Sequence, residues 1–288
     1  MVMPTDNLCI GIVGTGTMGS GIVQVLARSA CIETVLWYGR TPQSTNASRD
    51  EVGARFLSLV KKNRLSPEEH QRFLEKIKVV SSIDDLRNCH CIIEAVSEEF
   101  DAKRTVFLEL AKVCKADTIL ASNTSSLSIT ALAALTPYPE NVVGLHFFNP
   151  APVMKLAEVI AGLTTAQASL DWALSFAALL GKDPVLVNEA PGFIVNRMLI
   201  PMVNEAIGIL AEDVASAEEI DKAMRLGANH PIGPLALADL IGLDVCLSIM
   251  ETLHNETGDP KYRAHPLMRK MVRGNRLGRK TGCGFFTY

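Results

Sequence analysis

No apolar stretch of this 288-residue chain approaches the roughly 20 residues that a bilayer-spanning helix needs, so an integral membrane role is excluded. A dominant charge is missing as well. The 28 Lys and Arg face 31 Asp and Glu, and a net charge of −3 excludes the basic surface of a nucleic-acid binder or a membrane-surface protein. Internal repeats and low-complexity tracts are absent. A regular cysteine framework is absent too, because the seven thiols, at 9, 31, 89, 91, 114, 246 and 283, form an odd and scattered set. Two of them flank a histidine in "CHC", Cys89–Cys91, within an apolar run that reads as a strand. Alternation turns both thiols away from His90, and one strand offers no tetrahedral cage, so no metal is expected. Reduced thiols and a cytoplasmic location are the expectation, since the first strand begins by Leu8 and leaves no room for a secretory signal.

What is present follows two grammars. Hydrophobic residues at 48% and charged residues at 20% suit a soluble globular chain, long enough for two ordinary domains. Up to about Val187, short apolar runs alternate with helical segments. The runs "LCIGIVG", "TVLWY", "IKVV", "CIIEAV", "TILAS", "NVVGLHFF", "LAEVI" and "PVLV" predict strands. The alternation predicts an α/β domain over residues 1–187, with a doubly wound, mostly parallel sheet and helices on both faces. From Pro191 onward the strands stop. "GFIVNRMLIPMVNEAIGILAE", "SAEEIDKAMRLG" and "LALADLIGLDVCLSIMETLHNE" read as three helices, so residues 188–288 should form an all-α domain with its boundary near "NEAPGF". Capping boxes at Ser66/Glu69 and Ser216/Glu219 mark two helix starts. The apolar surface of this helical part predicts pairing with a second copy, a homodimer.

Three glycines carry the first chemistry. Gly14-x-Gly16-x-x-Gly19 follows the first strand, opens the helix-like "SGIVQVLARS", and precedes a second strand by about twenty residues. Gly14 permits the turn, Gly16 admits a pyrophosphate to the backbone, and Gly19 lets helix and strand pack closely. The helix N-terminus then offers its N–H groups to phosphates. With Thr17 and Met18 inside the turn, these are the cofactor-binding candidates of a Rossmann-like domain. One part of that pattern is missing. The second strand ends without the acid that normally holds the adenine ribose: the chain reads Tyr38, Gly39, Arg40, and the next carboxylate is Asp50.

A carboxylate there would repel the 2′-phosphate of NADP by about 4 kcal/mol per unit charge pair at an effective dielectric near 20. An arginine would attract it and can grip it through two parallel hydrogen bonds. Gly39 is expected to leave room for the phosphate, Thr41 and Ser44 to offer hydroxyl donors, and Tyr38 or Arg40 to stack on the adenine. NADP is therefore the expected cofactor. The alternative is NAD with a weakened ribose contact and a solvated Arg40.

Further candidates lie in "GLHFFNPAPVMKLAEVI", where His146 ends one strand and Glu158 lies in the next. A shared hydrogen bond would fix the imidazole tautomer and raise its basicity, as an alcohol-oxidising base requires. The alternative is a structural histidine with Glu158 on a solvated edge. In "ASNTSSLSIT", small hydroxyl and amide residues could bind a substrate oxygen, or Ser125 or Ser126 could cap a helix. Asn196, early in an apolar helix, could contact a ligand between domains or satisfy backbone groups. The residues alone thus describe a two-domain nicotinamide-type dehydrogenase with a histidine base.

"GIVGTGTMGSGI", "SNTSSLSIT", "GLHFFNPAPVMKLAEVI", "APGFIVNRMLIPMVNEAI", "MRLGANHPIGPLALADLIGLD" and "GRKTGCGFF" together resemble the 3-hydroxyacyl-CoA dehydrogenase family over nearly the whole chain. More narrowly, they resemble its short single-function bacterial members acting on 3-hydroxybutyryl-CoA. The resemblance implies reversible oxidation of an (S)-3-hydroxyacyl-CoA, with His146 as base, Glu158 orienting it, and Ser125 and Asn196 holding the substrate. It implies cofactor contacts at Glu98, Lys103, Asn149 and Lys280, a coenzyme A contact at Lys61 with Lys62 a near neighbour, and dimerisation through the helical domain. The chain departs from the family pattern at Tyr38–Arg40. From Lys261 onward eight basic residues and no acid appear, read as a solvated face or as charges that offset ligand phosphates. Two other functions stay open: oxidation of a sugar acid on the same fold, and a non-enzymatic structural role that keeps cofactor binding.

Overall fold

Short runs rich in Ile, Val and Leu form the strands, as their packing preference favours. The computed structural model describes residues 7–288. One sheet contains β1 (Leu8–Val13), β2 (Ile32–Tyr38), β3 (Ile77–Val80), β4 (Cys91–Glu94), β5 (Ile119–Ser122), β6 (Val142–Phe147), β7 (Leu156–Ala161) and β8 (Asp183–Asn188). Each falls on a predicted run. Their order is β3-β2-β1-β4-β5-β6-β7-β8, and every neighbouring pair is parallel except β6–β7. Helices α1 (Thr17–Arg28), α2 (Pro42–Lys61), α3 (Pro67–Lys76), α4 (Phe100–Leu110), α5 (Ile129–Ala133) and α6 (Gln167–Leu179) connect the strands.

The strand order reverses beside β1, whose neighbours are β2 and β4. In a doubly wound sheet this switch point opens a ligand crevice at the carboxyl ends of the strands. A core of buried apolar residues holds the sheet against its helices, among them Ile10, Ile12, Trp37 and Phe176 of α6. Ile22 and Leu26, one turn apart on α1, are fully buried against it, and each contributes about 1.5–3 kcal/mol. A charged residue at Ile22 would undock α1. The buried Trp37 is also satisfied: its indole N–H donates to the Gly14 carbonyl at 2.8 Å. Helix α3 begins as its sequence predicts, with Ser66 and Glu69 bonding reciprocally to each other's backbone N–H.

The chain divides into two units between Glu189 and Ala190. The second unit contains α7 (Val195–Ala211), α8 (Ala217–Gly227), α9 (Pro234–Ile241), α10 (Leu243–Thr257) and α11 (Pro266–Arg273). Ile207, Leu235, Met250 and Leu253 are part of its own core. One expectation is corrected here. The predicted single helix "LALADLIGLDVCLSIMETLHNE" breaks into α9 and α10 at Gly242, whose φ of +104° suits glycine alone. The Lys280 ammonium also lies 3.0 Å from where a Cβ at Gly242 would sit.

Two buried carboxylates close this unit. Asp221 accepts the N–H groups of Leu235 and Ala236 at 2.8 and 2.9 Å, capping α9 from a neighbouring helix. Asp239 accepts the N–H groups of Phe285 and Phe286 at 3.0 and 2.9 Å and the Tyr288 hydroxyl at 3.2 Å. That arrangement holds the C-terminal segment in place.

Candidate active site

The glycine turn is built as its sequence requires. Gly14 has φ +120°, and a Cβ there would lie 2.4 Å from the Ala95 carbonyl oxygen. A Cβ at Gly19 would lie 2.3 Å from the Gly14 oxygen, so only glycine lets α1 approach β1 this closely. Gly16 differs: a Cβ there would meet nothing within 4 Å, which leaves open space beside the backbone. Gly16 is also the N-cap of α1, and no side chain caps the helix. Its first N–H groups thus remain for a phosphate, the fit a dinucleotide needs. Thr17 is exposed at this turn and Met18 packs partly against the core.

The end of β2 lies beside the turn, because the Gly14 N–H donates to the Tyr38 carbonyl at 3.0 Å. Tyr38 is half-buried and Arg40 is exposed, and among the described residues no carboxylate pairs with Arg40. The expectation that Gly39 leaves room for a phosphate is corrected. A Cβ there would lie 2.3 Å from Thr45 Oγ1 and 2.5 Å from Thr15 Cγ2, so the protein's own side chains fill that space. Thr41 caps α2 by accepting the Ser44 N–H at 3.2 Å, and the two hydroxyls bond within this cap.

Farther along the carboxyl edge, His146 of β6 and Glu158 of β7 are direct partners in the antiparallel pair. That register brings their Cβ atoms within about 5 Å of each other, and His146 Nδ1 bonds Glu158 Oε2 at 2.8 Å. His146 is 6% exposed and Glu158 1%. A carboxylate on Nδ1 fixes the ring's orientation and favours a proton there, which directs Nε2 to other chemistry. The turn after β6 begins at the exposed Asn149 and is pinned by Lys182, whose ammonium donates to the Met154 carbonyl at 2.8 Å and to the Ala151 carbonyl. Asn123 Oδ1 accepts the Phe147 N–H at 2.9 Å, which ties the end of β5 to this strand.

Between these sites a ladder of charge rises from the core. Glu94, at the end of β4, is fully buried; it accepts Ser122 Oγ at 2.7 Å, the Val96 N–H at 2.7 Å and the Lys103 ammonium at 2.8 Å. Lys103 is 1% exposed and lies 3.3 Å from Glu98 Oε2 as well, so its ammonium is enclosed by two carboxylates. Glu98 reaches the surface. Its Oε1 accepts the Ser125 N–H at 2.6 Å, Thr124 Oγ1 at 2.7 Å, and Ser125 Oγ and the Ser126 N–H at 3.1 Å. Partial burial pushes the Glu98 carboxyl up, but the Lys103 ammonium and the bonds from Thr124 and Ser125 outweigh this and hold it below the usual glutamate range. Capping of α5 falls to Ser128, which accepts the Ala131 N–H at 3.0 Å, and not to Ser125 or Ser126.

The parallel register aligns Tyr38, Val13, Glu94, Ser122 and Gly144, so the glycine turn, the Glu98–Ser125 contact and His146 share one edge of the sheet. Glu94, Asn123 and Lys182 were missed from sequence. A glutamate inside the apolar "CIIEAV" was the one available signal, since an unpaired buried carboxylate is too costly to keep. Lys61 and Lys62 are both exposed at the end of α2. In the helical unit, Asn196 is the second residue of α7, and Lys280 bonds Asp244 Oδ2 at 2.6 Å. No helix among the described residues is long and apolar enough to cross a membrane, and no group of three or more His, Cys, Asp or Glu among them could hold a metal ion.

A doubly wound sheet with an open glycine turn and a His–Glu pair on one edge defines a dinucleotide-dependent oxidoreductase. Comparison with known proteins narrows the class. The model of the 3-hydroxyacyl-CoA dehydrogenase NAD-binding domain matches residues 9–190, and that of the C-terminal domain of the same family matches residues 192–288. A 3-hydroxybutyryl-CoA dehydrogenase of Clostridioides difficile is 50% identical over 97% of this chain and 99% of its own. A mitochondrial hydroxyacyl-coenzyme A dehydrogenase of Sus scrofa is 38% identical over 97% and 90%. The crystal structure of an (S)-3-hydroxybutyryl-CoA dehydrogenase from Ralstonia eutropha superposes with a TM-score of 0.94 at 44% identity, covering 98% of this chain and 99% of that one. The chain belongs to the 3-hydroxyacyl-CoA dehydrogenase family, and it is an oxidoreductase that uses a nicotinamide cofactor.

Proposed function

We propose that this enzyme reversibly oxidises (S)-3-hydroxybutyryl-CoA and related short-chain 3-hydroxyacyl-CoA thioesters to the 3-oxoacyl-CoA, with a preference for NADP(H). The observation that carries the reaction is the buried His146–Glu158 hydrogen bond at the carboxyl edge of β6. His146 Nε2 takes the proton of the 3-hydroxyl during oxidation and returns it during reduction. Glu158, opposite Nδ1, orients the ring and stabilises the imidazolium that forms. When bound, the nicotinamide supplies the hydride acceptor or donor for C3. Ser125, oriented by Glu98, places the substrate oxygen. Asn196 is a further substrate contact, Asn149 and Lys280 are cofactor contacts, and Lys61 is the coenzyme A contact, all on the family resemblance. Glu98 is a further cofactor contact on the same resemblance, and the buried Lys103 serves the cofactor through Glu98. The exposed Val214 and Leu226 of the helical unit favour a homodimer, which light scattering tests directly.

The cofactor preference rests on Tyr38 and on Arg40, which no carboxylate among the described residues pairs with, where an acid would repel the 2′-phosphate. One observation favours NAD instead: Thr15 and Thr45 fill the space over Gly39, and the Thr41 and Ser44 hydroxyls serve their own cap. Reduction of acetoacetyl-CoA by the purified enzyme, with NADPH and with NADH, decides both points. Turnover with NADPH at least about tenfold more efficient than with NADH is expected. An Arg40→Ala variant should lose about tenfold with NADPH alone, roughly 1.4 kcal/mol. Equal use of the two cofactors would overturn the preference, whereas no turnover with either would overturn the activity.

A further inference from the structure

The opposite edge of the sheet carries a second reactive cluster, and the proposed reaction makes no use of it. Cys9, near the start of β1, and Cys89, just ahead of β4, place their sulfur atoms 3.8 Å apart. Cys89 is 3% exposed and Cys9 is partly exposed. Two residues along β1, Gly11 makes the approach possible: a Cβ there would lie 3.3 Å from Cys89 Sγ. His90 Nδ1 accepts the Cys9 N–H at 3.1 Å, and among the described residues no group of three or more His, Cys, Asp or Glu could hold a metal ion here. With no third ligand the pair is left to thiol chemistry.

The two thiols are unequal. The hydrogen bond from Cys89 lowers Cys9; partial burial opposes this, and the Lys78 charge adds to the lowering. Cys89 is pushed far up by its bond to Cys9 and by burial. One sulfur is thus suited to attack an oxidant and the other to resolve the product.

We propose that Cys9 and Cys89 form a redox pair that closes to an intramolecular disulfide when the protein meets hydrogen peroxide. The Cys9 thiolate attacks one peroxide oxygen and the O–O bond breaks, leaving a sulfenic acid on Cys9 and hydroxide. The Cys89 sulfur then attacks the Cys9 sulfur and the S–O bond breaks. The two thiol protons end on the two oxygens, so two thiols are oxidised by two electrons and one peroxide is reduced to two waters. Closure draws the sulfurs from 3.8 Å to about 2 Å. β1 and β4 are already paired there, with the His90 N–H on the Cys9 carbonyl at 2.9 Å. The pair sits at the amino ends of β1 and β4, and His146 at the carboxyl end of β6, so turnover should survive closure.

The test treats the purified enzyme with hydrogen peroxide, counts thiols with a chromogenic disulfide under denaturing conditions, and maps the peptides. A fall from seven thiols by two, a peptide linking Cys9 to Cys89, recovery with dithiothreitol and activity unchanged within about twofold are expected. In a Cys89→Ser variant, Cys9 should stop at the sulfenic acid, which dimedone traps, and then proceed to the sulfinic acid. The proposal is overturned if the wild-type thiol count does not fall. It is equally overturned if the disulfide joins other cysteines, or if wild-type Cys9 reaches the sulfinic acid as fast as in Cys89→Ser.

Discussion

In the α/β unit, Glu94 and Glu158 aim their buried carboxylates at ionisable side chains, whereas in the helical unit Asp221 and Asp239 aim theirs mainly at backbone amides. All four are nearly inaccessible, so burial does not distinguish them. The partner does. A carboxylate facing N–H groups that can never ionise is a clamp; it closes a helix end or a chain terminus and has no proton to pass on. A carboxylate facing an imidazole or an ammonium faces a group that can gain or lose a proton, the setting in which the proposed mechanism gives Glu158 its role. Both kinds need their bonds to offset the cost of burial.

The largest expected effect tests the chemical side of this contrast. His146→Gln should lower kcat by about 10²–10⁴-fold while leaving cofactor affinity, measured by fluorescence titration, nearly unchanged. Survival of turnover within tenfold would exclude His146 as the base. Next comes Glu94→Leu, which leaves the Lys103 ammonium buried with one carboxylate in place of two. A loss of about 3 kcal/mol in denaturant unfolding is expected, together with a fall in kcat from the loosened Glu98–Ser125 contact. A stability loss with kcat intact would move Glu94 into the clamp class.

Asp239→Ala should cost about 2 kcal/mol and release the amides of Phe285 and Phe286 to hydrogen exchange. Equal protection of those amides in mutant and wild type would show that the carboxylate does not hold the segment. The smallest effect concerns pH. Glu98 is held below its unfolded value of 4.5, so its contribution to stability is present above that pH and is lost as pH falls through the lower folded value. Glu98→Gln should therefore flatten the acid limb of the stability curve below about pH 4.5 and leave the alkaline limb alone. An unchanged acid limb would remove Glu98 from the charge ladder.

Much of this was legible in the chain. Strand positions, the α3 capping box and the glycine turn depend on neighbouring residues, and local chemistry is enough to read them. His146 and Glu158 could be suspected because twelve positions, across a turn rich in proline, allow two neighbouring strands to meet. The misreadings share one cause. The space over Gly39 is filled by Thr15 and Thr45, and at Gly242, where the backbone turns through φ +104°, the Lys280 ammonium lies 3.0 Å from where a Cβ would sit. Neither partner is adjacent in sequence to the glycine it constrains.

By itself, then, the sequence determined the alternation of strands and helices, the glycine turn and the absence of an acid after β2. Each of these follows from the conformational limits and charge of residues close together in the chain. Only the tertiary structure decided that Lys103 lies between Glu94 and Glu98, that Glu98 holds Ser125, and that Cys9 touches Cys89 across 80 positions. Those contacts arise from the order and register of strands β1, β4, β5 and β6. That order is set by how apolar surfaces from the whole domain pack together, a cooperative property that no single segment encodes.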